Sequence, residues 1–245
     1  MRTLLSIAAS AAAAIGAASA MPTVVDVDLS SWTAEGQGTW TRASDNNSVF
    51  QSRNGNSTVF HNGVDSQGIQ LSGTITVETT SDDDFIGFVL GYDAGDLTND
   101  AADYLLIDWK QGAQNAFGAS QTAGLAISRV TGAASTTEAW GHTGDVTELA
   151  RGANLGRTGW LDNTTYDFDL VFTSSRVQVF VDNILEIDIT GTFSNGSFGF
   201  YNFSQQSVRY GALTTQDAPQ VPVPAAAFLF APVLAGLAWK RRFSK

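Results

Sequence analysis

Between Val24 and about Thr215, Gly, Ser, Thr, Asn and Asp interrupt the chain roughly every 8–12 residues. The runs between them are short and either alternate or stay apolar, with many β-branched and aromatic residues. Ile69 to Thr79 alternates and predicts a strand with one buried face. Phe85 to Tyr92 is a buried-type run. Further strands are predicted over Tyr104 to Lys110, Gly124 to Val130, Tyr166 to Phe172, Arg176 to Val181, Ile184 to Ile189, Ser197 to Phe203 and Val208 to Thr214. Asp182-Asn183 between two of them signals a tight hairpin, because Asn tolerates positive φ. Strands at this spacing, with few helix signals, predict an all-β sandwich or jelly roll of two antiparallel sheets. No internal repeat or domain boundary interrupts it.

The two ends follow other patterns. Residues 1–20 carry Arg2, an apolar stretch from Leu4 to Ile15, and Ala18-Ser19-Ala20, which reads as a secretory signal cut before Met21. The domain is expected over 21–215. Residues 216–224 form a polar linker and the start of Val221-Pro-Val-Pro-Ala225. Residues 225–239 are apolar apart from Pro232, and 240–245 begin Lys-Arg-Arg. Fifteen apolar residues are fewer than the about 20 of a comfortable bilayer span. The basic residues after them would hold the tail on the cytoplasmic side. The layout resembles the PEP-CTERM class of bacterial sorting signals in its Val-Pro-x-Pro-Ala form. That resemblance implies an exosortase-type protease as partner, membrane contact through this segment alone, and delivery to the cell surface or exopolysaccharide matrix.

Composition narrows the function. The 245 residues include no cysteine and two histidines, His61 and His142, which excludes thiol chemistry and leaves a zinc centre short of ligands. Thirteen Lys+Arg against 24 Asp+Glu give a net charge of −11, which argues against nucleic acid. Five of the basic residues, Arg2, Lys240, Arg241, Arg242 and Lys245, lie in the ends, so the middle is near −16. Such a charge suits divalent cations, whose binding relieves self-repulsion.

Four sets of residues invite chemistry. Asp82, Asp83 and Asp84 stand at the entry of an apolar strand, where a calcium ion coordinated by oxygen would relieve their repulsion. Asp93, Asp96, Asp100 and Asp103 form a second acidic loop whose spacing is not that of an EF-hand. Glu186 and Asp188 share a strand face by period 2, and resemble part of the Glu-x-Asp-x-x-Glu pattern of laminarinase-type glycosidases. The second Glu is missing, so the pair is expected on a polar outer face. His142 could join a Ser-His-Asp triad, but no Gly-x-Ser-x-Gly elbow occurs, so a loop histidine bonded to backbone is expected. Trp109, Trp140 and Trp160 are expected in the core. The sequons at Asn47, Asn56, Asn163 and Asn202 are expected to be fortuitous.

Ser81-Asp-Asp-Asp-Phe-Ile-Gly-Phe-Val-Leu-Gly-Tyr92, followed by a strand ending in Trp109-Lys-Gln111, resembles the thrombospondin C-terminal domain family. The same order continues with Gly124-Leu125, Trp140-Gly-His-Thr-Gly144, Gly159-Trp160 before Tyr166, and Gly196-Ser-Phe-Gly-Phe-Tyr-Asn-Phe-Ser-Gln205. The family's Trp-His-Thr-Gly carries one extra Gly here, and Asp93 to Ala102 lengthens a loop. The resemblance implies an L-type lectin-like (concanavalin A-like) jelly roll with calcium at acidic loops, and adhesion or matrix roles without catalysis. Carried over by position, Asp82, Asp83 and Asp84 are the leading calcium candidates; Asp93, Asp96 and Asp103 stand behind them, on the acidic loop alone. The leading expectation is a non-catalytic, secreted or surface calcium-binding module that engages an extracellular polysaccharide or matrix component. A jelly-roll glycosidase or lyase is the alternative, and a purely structural matrix protein the second alternative.

Overall fold

Alternation along the strands sorts the side chains of the computed structural model, which describes residues 22–219, into layers. Strands are numbered in chain order. The first sheet runs in space β15 (Ile184–Thr190), β14 (Arg176–Val181), β13 (Thr165–Phe172), β6 (Ile69–Val77), β17 (Val208–Asp217), β4 (Val49–Gln51) and β3 (Trp40–Arg42); β1 (Val25–Asp26) pairs with the end of β17. The second runs β12 (Val146–Arg151), β11 (Gly124–Val130), β8 (Tyr104–Lys110), β7 (Phe85–Tyr92), β16 (Ser197–Phe203), β5 (Thr58–His61) and β2 (Thr33–Gly36). Every described pairing is antiparallel. The fold is thus the expected all-β jelly-roll sandwich.

The core lies between the sheets. Phe88, Phe168, Phe200, Tyr210, Leu71, Ile107 and Trp160 fill it, and the rings of Phe200 and Tyr210 stack at 4.3 Å. The Asp182-Asn183 turn is as expected, with φ of 49° and 64°.

The outer face of the second sheet is also covered. A short helix, α1 (Thr136–Gly141), a hairpin of β9 (Gln114–Ala116) and β10 (Ala119–Gln121), and a turn at Asp96–Thr98 lie near it. Phe85, Val89, Tyr92, Leu106, Trp140, Tyr201 and Phe203 form a second apolar cluster there. Being buried on both faces is why β7 and β8 read as apolar runs. At the end of β7 the register with β16 shifts: Ser197 pairs with Tyr92, and Phe198 with Leu90. Gly91 is the extra residue, at φ 72°, and it turns Tyr92 to the outer face.

The segments expected to be a signal (1–20), and the parts of the linker, apolar segment and basic tail beyond residue 219, lie outside the described residues. Among the described residues no helix is long and apolar enough to cross a membrane.

Candidate metal centre

Glu78 onward leaves β6 and re-enters the second sheet at Phe85, and Asp82 takes φ 91° in this turn. The left-handed backbone gathers the three neighbouring carboxylates: one oxygen of each lies within 4.8 Å of the others. Among the described residues this is the one place where three such ligands converge. Asp82 and Asp83 are half-buried, while Asp84 is 3% exposed. Burial and the adjacent Asp84 carboxylate push Asp82 up to about 6. The Nδ2 group of Asn54 donates to Asp82.

The turn is held by residues distant in sequence. Lys110, at the end of β8, is fully buried, and its ammonium donates to Asp84 Oδ1 at 2.6 Å and to the Asp83 carbonyl at 3.2 Å. The Gln111 and Gly112 amides donate to that same carbonyl. Trp160 Nε1 donates to the Asp84 carbonyl at 3.1 Å, and the Asp84 amide donates to Gln205 Oε1 at 3.0 Å. Trp140 lies over Lys110, 4.4 Å from the ammonium to the ring centroid. The Trp-Lys-Gln, Trp-Gly-His-Thr-Gly, Gly-Trp and Phe-Ser-Gln motifs therefore meet the Asp-Asp-Asp motif at one end of one sheet. Lys110 was not singled out from sequence. Its signal was a lysine in an apolar strand, two positions after Asp108 on the same face.

The donor set fits a hard cation: clustered carboxylate oxygens, one of them pushed toward protonation by burial and by its neighbours. Lys110 already neutralises Asp84, so Asp82 and Asp83 are the more open ligands. In the second acidic loop, Asp96 instead accepts from the Asp93 amide and Asn99 Nδ2, closing its own turn. Asp103 is held by Arg129 at 2.6 and 2.7 Å, which keeps its carboxyl below the usual range. The Asp93 carboxyl is pushed up by burial and Asp96.

Two expectations are corrected. Glu186 and Asp188 do not share a face. The β14–β15 ladder pairs Phe180 with Leu185 and Val179 with Ile187, so Glu186 is a bulged residue. Its buried carboxylate accepts from the Asn154 and Leu155 amides at 2.8 and 3.0 Å and from Asn154 Nδ2 at 3.1 Å. Asp188 stays outside and pairs with Arg176. His142 is bonded to side chains rather than backbone: Nε2 is 2.8 Å from Asp108, and Nδ1 is 3.4 Å from Ser128 Oγ and 3.6 Å from Glu148. The order Ser-His-Asp is thus formed, but Ser128 is fully buried and the His142 ring is 4% exposed. Burial opposes charging of His142, yet Asp108 and Glu148 outweigh it and raise its pKa to about 9, so it is an imidazolium rather than a base at neutral pH. Trp109, Trp140 and Trp160 are buried, as expected. So is Asn202, which leaves its sequon inaccessible.

Residues 35–218 match the family described as Thrombospondin C-terminal region. The chain belongs to that family. Among curated relatives, thrombospondin-3b of Danio rerio is 27% identical over 174 residues, covering 63% of this chain and 18% of that protein. Cartilage oligomeric matrix protein of Bos taurus is also 27% identical over 174 residues, covering 63% and 22%. The chain therefore spans about a fifth of the length of these thrombospondin-type relatives. Among solved structures, the carbohydrate-binding module CBM66 from Bacillus subtilis superposes with a TM-score of 0.55 at 14% identity, covering 76% of this chain and 96% of that one. The VIP36 exoplasmic/lumenal domain, solved with Ca2+ and Man3GlcNAc, gives 0.50 at 16%, covering 82% and 90%. At such identities the likeness concerns the lectin-like fold.

Proposed function

We propose that this thrombospondin C-terminal domain is a non-catalytic, exported calcium-binding module that associates with extracellular carbohydrate or another matrix component. The observation that carries the reading is the convergence of Asp82, Asp83 and Asp84 at the point where the family's motifs meet. Asp82 and Asp83 would hold the ion, with Asp84 beneath them braced by Lys110. A bound calcium ion would supply charge neutralisation there. The protein's own residues keep the turn in a ligating shape through Gln205, Trp160 and Lys110. Support for a non-catalytic role comes from the buried Ser128 and from Glu186, whose oxygens are taken by the 153–155 loop. Support for a carbohydrate or matrix partner comes from the names of the relatives and fold neighbours. Export by residues 1–20 and an exosortase-processed tail at the bacterial surface rest on the sequence patterns of the two ends.

A thermal melt of the full-length chain after exhaustive chelation, with and without calcium, tests the reading. Calcium at about a hundred times its dissociation constant stabilises by ~2.7 kcal/mol. For a domain of this size that raises Tm by roughly 5–10 °C. Magnesium, which demands octahedral geometry, is expected to do much less. Asp82→Asn and Asp83→Asn should abolish most of the rise. An identical calcium response in both variants would remove the site. Asp84→Ala is a poorer probe, because it leaves the Lys110 ammonium buried and unpaired whether or not calcium binds.

A further inference from the structure

Over the outer face of the second sheet, α1 packs against the β9–β10 hairpin, but the turn at Asp96–Thr98 and the start of α1 stand apart. Between them is a cleft of about 310 Å3, at the lower end of the roughly 300–1,000 Å3 typical of small-ligand pockets. Its floor is Leu106, Val130 and Val146 from three adjacent strands, with Tyr201 beside them. One wall is Gly36-Gln37 and Leu97-Thr98; the other is the start of α1, with Ala134, Thr136 and Ala139.

Three features define what fits. No Asp, Glu, Lys, Arg or His lines the cleft, although the chain carries 24 acidic residues. A charged ligand would therefore lose its hydration with no counter-charge to receive it. The polar groups are neutral: the Tyr201 hydroxyl lies 3.0 Å from Ser57 Oγ at the base, and Gln37, Asn56, Thr98 and Thr136 supply amides and hydroxyls around it. Tyr201 is 2% exposed. The aliphatic floor rewards a methyl group but gives nothing to a ligand that is polar on every face.

We propose that this cleft binds a neutral pyranose carrying a methyl-bearing substituent, either an N-acetylated hexosamine or a 6-deoxyhexose, with the methyl on the Leu106–Val130–Val146 floor and the ring hydroxyls on the Ser57–Tyr201 side. The assignment rests on the carbohydrate-associated reading above and adds the site and class of sugar. It is separate from the carboxylate turn, none of whose three residues lines the cleft.

The test is ligand-observed NMR and calorimetry on the full-length chain with N-acetylglucosamine, rhamnose, glucose, glucuronate and glucosamine. One or both methyl-bearing sugars should bind, and which one identifies the source. Glucose should bind about tenfold more weakly, the usual worth of one apolar group in a fitted pocket, and the two charged sugars not at all. Thr98→Trp fills the mouth from an exposed position and should abolish binding; Ser57→Ala should weaken it severalfold. A cooperative thermal melt at the wild-type Tm checks that each variant is folded. Neutral-sugar binding that survives Thr98→Trp, or glucose binding as tightly as the methyl-bearing sugars, would overturn the cleft alone. A wild-type chain that binds none of the five saccharides would overturn the cleft, while carbohydrate association is decided separately by co-sedimentation with insoluble polysaccharide and the calcium reading by its own melt.

Discussion

Lys110 and His142 place two cationic side chains under the covers of one sheet, each against a buried aspartate. They exchange solvation for ion pairs, so removing either partner strands a charge. His142 also makes stability depend on pH. Its folded pKa of about 9 lies above its ordinary 6.5. The stabilisation is therefore fully present below pH 6.5 and is lost as pH rises through 9. A shift of this size corresponds to about 3 kcal/mol. Urea unfolding from pH 6.5 to 9.5 should show the wild type losing about that much more stability than His142→Gln, which cannot titrate. Parallel pH profiles would mean that the ion pair contributes nothing net. From sequence, the histidine could be placed in a loop but its partners could not, because Asp108, Ser128 and Glu148 come from three strands that meet only in the fold.

At the scale of elements, the nine strands with long alternating or apolar runs, β6 to β8, β11 and β13 to β17, were all legible. What escaped were the short strands, the edge strand β12 and the cover pieces. β1 to β5 are two to four residues long, too short for a period to show. The helix α1 spans only six residues, opened by a Ser135–Glu138 capping box. The β15 bulge was hidden for another reason. Period 2 assumes an unbroken ladder, and one extra residue sends Glu186 inward while leaving Asp188 outside. Here Glu186 works as a clasp between β15 and the 153–155 loop. Glu186→Ala leaves three donors without their acceptor, and should cost about 2–3 kcal/mol. Limited proteolysis should then cut first near residues 152–158; unchanged cutting and stability would show the clasp to be idle.

Across the whole molecule, acidity dominates. Of the basic side chains in the sandwich, Lys110, Arg129, Arg151, Arg176 and Arg209 are already committed to ion pairs. The excess carboxylates are left largely uncompensated. Salt screens such surface repulsion over a Debye length of about 10 Å at 0.1 M. Chelated protein should thus gain a few degrees in Tm between 10 and 300 mM NaCl, a gain that shrinks once calcium is added. A fall in Tm with salt would mean that the pairs outweigh the repulsion. The composition gave this imbalance directly. The candidate carboxylates were legible too, since they are contiguous. The cleft was not, because its walls come from residues far apart in the chain that only the folded sheet brings together.

The convergence of motifs on the Asp82–Asp84 turn also sets a timetable. The bond from the Asp84 amide to Gln205 joins residues 121 positions apart, and β6 gains its neighbour β17 only from Val208 onward. Loops this long close slowly, and their closure entropy is repaid only when the last strands arrive. A chain emerging from the ribosome therefore has no finished sandwich to assemble until the strand beginning at Val208 has been made. The export proposed above would benefit from that delay, because an unfolded thread is what a translocation channel can pass.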